Sequence, residues 1–430
     1  MAVQLPKELN YTEGLSSLPP STRTVRMVVA PSNLSSASDN AQIIFDLPDS
    51  HTGYIVPGSL KINYKANVVS SGDAAFVFGV PAYTFFNRCD TYVQQGSQLI
   101  EGIAQYGCLC DKLFATKLTM SHKLGNAVGL GLLNDRTVPT NLNLTGHKCV
   151  AANETFPISA PLGCILSNCE KLVPARCGFR IVLTTDTLAR IAVANGENTM
   201  TSFALTNLEL AYDMVEFSSP EMEAVVQELS DEGQIVLKSQ SYSLTSQSLP
   251  VASSGTQTVT FNNRFSSIKS MMALFGGGGT TQVGGSYYDS VDITSSNGSY
   301  QFEIGGQCYP ERPLSTRNNK SAIFSALADC WGGNSHSLYN ESMSILPIEF
   351  SRVEATQTSL DAPGRFYVGQ NVEKIQTSAM LTGVSSNNSA INLRIDLGAA
   401  TTLQHQVSLI CLYDSILTID LNTKQASVRV

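Results

Sequence analysis

His147-Lys148-Cys149 brings a histidine nearest to another metal-capable side chain. Zinc takes four tetrahedral thiolate or imidazole ligands, so this pair would need Cys108-x-Cys110 or Cys164-x4-Cys169 to complete a site. Those spacings match no zinc module. His51, His122, His336 and His405 stand isolated, and the His-x-His pair of a cupin-type metalloenzyme is missing. Nucleophilic chemistry fares no better. There is no Gly-x-Ser-x-Gly elbow and no His-Glu-x-x-His. Gly333-Asn334-Ser335-His336 sets a serine beside a histidine, which is a polar loop rather than a triad. The glycine run Gly276 to Gly279 lacks the Lys-Ser/Thr of a phosphate loop and reads as a flexible surface loop. Asp213 and Asp414 are the one tempting pair of acids. Glycoside hydrolysis needs two carboxylates, and any two strands can bring them together. A shared structural job, accepting local backbone N–H groups once per half, is the simpler reading. No cofactor and no metal is expected.

Both aspartates belong to a repeated strand. LELAYDMVEF at 208–217 returns as LICLYDSILTI at 409–419, with Tyr212-Asp213 answering Tyr413-Asp414. Leu208, Leu210, Tyr212 and Met214 alternate with Glu209, Ala211 and Asp213, the period of a half-buried strand. One copy lies near the midpoint and the other near the C-terminus. Between the halves, Ser218 and Glu221 have capping-box spacing and Pro220 suits a first helical turn. Met222, Val225, Val226 and Leu229 follow as one apolar stripe, and Gly233 stops the helix. The expected organisation is an arm at 1–40, one unit at 41–218, a connecting helix at 219–233 and a second unit at 234–430.

Composition supports two β-rich units. The chain has 430 residues, too many for one ordinary core. Only 14% are charged, too few to solvate many amphipathic helices. The net charge of −8 and the absence of basic runs make it a poor grip for phosphate backbones. No apolar run is long enough to span a membrane, and MAVQLPKELN has no signal-peptide core. Ten cysteines split seven to three between the halves, which argues for free buried thiols rather than a repeated disulfide frame.

Along the chain, Leu60, Ile62, Tyr64, Ala66 and Val68 alternate with polar residues as a strand. A helix is expected from about Gln98 to Leu113, with Leu99, Ile103 and Tyr106 on one face. Residues 118–160 read as an irregular excursion. In the second half, strands are expected at 235–244, 257–261, Ile268 to Phe275, Tyr300 to Ile304 and Ile391 to Leu397. A helix near Ser321 to Trp331 should turn Ile323, Leu327 and Cys330 to one side. Many short strands with turn signals and about one helix per half point to two β-sandwiches.

Several of these pieces, in this order, resemble the double-jelly-roll major capsid proteins of icosahedral double-stranded DNA viruses, nearest those of polinton-like viruses, virophages and polintons. They are GSLKINYKANV, AYTFFNRCDTYVQQGSQLIEGIAQYG, the 212–229 strand and helix, RFSSIKSMMALF, YQFEIGGQCYPERP, RFYVGQNVEK and LYDSILTI. The likeness covers roughly 40–430. It implies an all-β chain of two eight-stranded jelly rolls side by side, with short helices. It implies a structural role, not an enzymatic one: a homotrimer forming a pseudo-hexagonal capsomer that meets neighbouring capsomers, penton and minor capsid proteins. The place implied is the virion, assembled inside the host cell rather than secreted. The 1–40 arm carries only Lys7, Arg23 and Arg26, so this chain is not expected to condense the genome, and no direct sequence-specific binding of nucleic acid is expected. Two other readings stand beside this one: a minor capsid protein, and a two-sandwich protein acting on carbohydrate. The second needs aromatic platforms, and the single tryptophan, Trp331, sits in an expected helix.

Overall fold

A computed structural model describes residues 22–430 apart from 51, 72–74, 78, 95–96, 132–147, 151–152, 194–199, 218–232, 279–287, 318–319, 332–342, 354–363, 375–380 and 402–403. The first half packs two sheets face to face. One has the order Gln42–Leu47, Phe179–Thr185, Phe86–Val93, Gln98–Ala104. The other runs Glu154–Pro161, Lys61–Ser70, Met200–Phe217, with short strands beyond. Strands early in the half pair with strands late in it, which wraps the chain around one core. Lys61–Ser70 shows why alternation was readable: every second side chain, from Ile62 to Ser70, is buried.

The second half repeats the plan. Gln234–Leu249, Gln404–Asp420, Ile268–Gly278 and Tyr367–Asn371 form one sheet, with Gln425–Arg429 added along the end of Gln404–Asp420. Gly255–Phe261, Ile391–Leu397, Ser299–Ile304 and Gln307–Ser315 form the other. The repeated motif falls in equivalent places. Met200–Phe217 and Gln404–Asp420 are both long strands flanked on each side in the larger sheet of their half. The architecture is thus an all-β double jelly roll with short helices, as expected. Ile323, Leu327 and Cys330 are fully buried on the Ser321–Asp329 helix and the turn after it.

Within the arm expected at 1–40, Thr22–Val29 pairs in register with Leu210 to Phe217 along the edge of a long strand, which supplies its hydrogen-bond partners. Three expectations need correction. Gln98–Ala104 is a strand, not the start of a helix; the helix is Tyr106–Lys117. A register shift opposite Thr91/Tyr92 buries Ile100 and Glu101 in succession, so the strand loses its alternation. Gln105, at φ 51°, then turns strand into helix. Within the supposed excursion, Glu154–Pro161 is a strand burying Phe156, Ile158 and Ala160. Its two prolines hid it, and they are tolerated because it lies at the edge of the sheet. Gly276 to Gly278 likewise continue a strand, opposite Gln404 to Gln406; glycine offers no side-chain period to read.

Candidate functional site at the seam between the rolls

The Tyr106–Lys117 helix belongs to the first roll by sequence but is buried nearly all round, from Tyr106 through Lys112 and again at Ala115 and Thr116. A helix without a polar face must be covered on every side. Much of the far cover comes from the second roll. A Cβ at Gly107 would stand 2.7 Å from the Tyr83 carbonyl oxygen and 3.0 Å from the Tyr288 hydroxyl, so only glycine allows this approach. The Ala115 carbonyl accepts the Ser344 N–H at 3.0 Å. The Trp331 indole donates to Thr116 Oγ1 at 2.9 Å, and the Lys117 ammonium lies 5.0 Å from the Trp331 ring and 4.9 Å from that of Tyr242. The tryptophan is part of the seam rather than an exposed sugar platform.

At the centre of the helix is a buried ionic cluster. Lys112 pairs with Asp111 at 3.0 Å and donates to the Tyr288 carbonyl. Its ammonium lies over the Tyr288 and Tyr367 rings, at 5.7 and 5.5 Å. Arg365 approaches Asp111 at 3.8 Å and Glu349 at 3.6 Å, and all four side chains are at most 3% exposed. Burial alone would raise the Asp111 carboxyl; the Lys112 and Arg365 charges outweigh it and hold the group at about 2. Lys123, also buried, is pushed down to about 7 by burial first and then by the Arg365 charge.

A second stripe of contacts runs beside this cluster. Glu101 accepts the Ile165 N–H at 2.6 Å and the hydroxyl of Ser241 from the second roll. Ser239 donates to the Ile165 carbonyl at 2.9 Å, Asn168 to the Gln240 carbonyl at 3.0 Å, and the Glu170 N–H to the Lys238 carbonyl at 3.1 Å. These ion pairs and hydrogen bonds join the two sandwiches across the seam.

The residues singled out from the sequence separate. Tyr212 is 1% exposed in the first core, and Asp213 is half-buried, its N–H donating to Ser59 Oγ at 3.0 Å. Tyr413 stacks on Phe265 at 4.0 Å between ring centres. Asp414 is 1% exposed and accepts the Ser267 hydroxyl at 2.6 Å and the Thr382 N–H at 3.2 Å. Among the described residues, it is the Asp414 carboxylate that ties neighbouring loops together, while Asp213 is held through its backbone. Met222, Val225, Val226 and Leu229 lie outside the described residues, as do His51, His147 and the Gly333 to His336 loop. His122 is exposed and His405 is buried. Among the described residues, no three metal-capable side chains are grouped to hold a metal. Nine cysteines among the described residues are free thiols, eight of them buried. Asp111, Lys112, Arg365 and Glu349 went unnoticed in the sequence. The available signal was charge inside apolar runs, as in CLCDKLF, in a chain so poor in charge.

No protein-family model and no curated protein matches the sequence. Solved structures do match along nearly the whole length. The capsid of the virus PBCV-1 aligns at TM-score 0.60 and 10% identity, over 97% of this chain and 100% of that one. The Faustovirus major capsid protein aligns at TM-score 0.59 and 8% identity, over 94% and 91%. The mavirus major capsid protein aligns at TM-score 0.54 and 9% identity, over 100% and 95%. Identities this low carry the backbone plan and nothing finer, and that plan agrees with the two wrapped sandwiches described above: the chain has the double-jelly-roll fold found in these viral major capsid proteins.

Proposed function

We propose that this chain is a major capsid protein, a structural building block rather than an enzyme. Three copies would form a pseudo-hexagonal capsomer, two rolls from each making six lobes, and capsomers would tile an icosahedral shell around a DNA genome. The observation that carries this reading is the buried seam. A tile needs its two rolls at one fixed angle, and a seam of buried ion pairs and hydrogen bonds tolerates no sliding without stranding charge. The low charge of the chain suits wide lateral faces that bury against neighbours. The net charge of −8 leaves DNA unneutralised by this chain, and penton and minor capsid proteins of the same particle are its expected partners. Light scattering and negative-stain microscopy of the purified protein test this. Trimers with a six-lobed outline are expected; a stable monomer at micromolar concentration overturns it.

The division into rolls at 41–218 and 234–430, joined by a helix at 219–233, belongs to the same proposal. The stripe of Met222, Val225, Val226 and Leu229 should be buried against a roll. Val226→Asp would then put an unpaired carboxylate into that seam and cost several kcal/mol, while Gln227→Glu on the opposite face should be silent. Equal melting and assembly of both variants would make the segment an exposed linker.

A further inference from the structure

Among the described residues, the seam holds a buried acid that faces no cation of its own. Glu101 is 6% exposed on Gln98–Ala104, the edge strand of the first roll's smaller sheet. Its carboxylate accepts the Ile165 N–H at 2.6 Å on one oxygen and the Ser241 hydroxyl of the second roll on the other. The titratable groups around it are Asp90 on the neighbouring strand, the Cys89, Cys164 and Cys169 thiols, and the Tyr413 phenol across the seam. Asp90 is already paired with Arg88 at 2.7 Å, and Lys238, on the same strand as Ser241, is paired with Glu170 at 3.4 Å. Among the described residues, the groups that face Glu101 are therefore neutral or acidic. Asp111, by contrast, has Lys112 and Arg365 beside it.

We propose that Glu101 is a proton-operated latch between the two rolls: the neutral acid lets the seam close, and the ionised form leaves a buried charge without a counter-charge and loosens it. Ser241 is suited to both forms, because a hydroxyl can donate or accept. It stands opposite Tyr413 in the second-roll ladder, and a proton gained at Glu101 can be met by a turn of the Ser241 hydroxyl. Burial raises the Glu101 carboxyl from 4.5 to about 7; hydrogen bonds from Ser241 and Ile165 hold it back, and Asp90 pushes it further. Its pKa is thus higher folded than unfolded. Its stabilising contribution is complete below about 4.5, falls as pH rises towards 7 and is absent above.

Melting of the full chain from about pH 5 to about pH 8 tests the latch. The expected result is a melting temperature that falls across this window in the parent. Glu101→Gln, which keeps the shape and cannot ionise, should lose at least half of that fall and melt above the parent at the alkaline end. Hydrogen exchange gives the local readout: after correction for intrinsic rates, amides of 98–104 and 234–249 should lose protection on the alkaline side in the parent only. If Glu101→Gln does not fold, Ser241→Ala serves instead. Removing a donor to the carboxylate raises its pKa, so the midpoint of the fall should move to higher pH. A pH profile in Glu101→Gln that overlays the parent's, or a midpoint unmoved in Ser241→Ala, overturns the proposal.

Discussion

Tyr212-Asp213 and Tyr413-Asp414 are the same dipeptide in the same strand of the same sheet, one per roll, and they do different work. The first tyrosine is sealed in its own core, and its aspartate is half-buried beside the 56–59 turn. The second tyrosine stacks on Phe265, while its aspartate ties Ser267 to Thr382. The difference comes from what lies across each strand. Met200–Phe217 carries the N-terminal Thr22–Val29 strand along its edge. Gln404–Asp420 pairs along its whole length with Gln234–Leu249, the strand that meets the first roll through Ser239, Gln240 and Ser241. A repeated strand preserves its place in the sheet, while its side chains answer to whichever neighbour the second roll meets.

The sharpest way to break this comparison is at the charged centre of the seam. Arg365→Met leaves Glu349 and Asp111 buried with less compensation, and losing one partner of a buried pair costs about 3–5 kcal/mol. Thermal melting should show a large drop or loss of folded protein. A parent-like melt would mean that the rolls do not depend on the cluster. Next comes the contrast between the repeated aspartates. Asp414→Ala removes the acceptor for two buried donors and should cost about 1–3 kcal/mol, whereas Asp213→Ala, at a half-exposed site, should stay within about 0.5 kcal/mol. Denaturant titration measures both, and equal costs would restore the idea of one shared structural job.

Lys123 gives a pH-dependent effect of opposite sign to Glu101. The unfolded lysine keeps its proton up to about 10.5 and the folded one only up to about 7. The penalty is therefore complete below about 7 and fades as pH rises towards 10.5. The groups facing it are Arg365, Asp111, Glu349 and Lys112. Lys123→Met should raise the melting temperature near pH 6 by a few degrees and lose that advantage in alkali. A gain independent of pH would assign the effect to packing instead. The smallest effect is expected from thiol reagents. Burial pushes Cys164 up to about 11 and Cys330 to about 12, so both should be slow to react in the native chain. Titration in denaturant should find all ten thiols free; any disulfide would show as a deficit.

Much of this protein was legible in the order of its residues. Alternation exposed Lys61–Ser70 and Ile391–Leu397, the Tyr-Asp repeat marked the long strand of each half, and a low charge count excluded a helical protein. These are local properties: a strand with one face buried must repeat every second residue wherever it lies. Where that rule was interrupted, by the irregular pairing at Thr91/Tyr92, the prolines of Glu154–Pro161 or the glycines ending Ile268–Gly278, the strand could not be read. The seam was beyond reach for a different reason. Asp111 and Arg365 are 254 positions apart and Glu101 and Ser241 are 140 apart. Nothing near either residue in sequence states its partner. A buried charge is stabilised by a counter-group beside it, and for these residues that neighbour comes from the packing of one roll against the other.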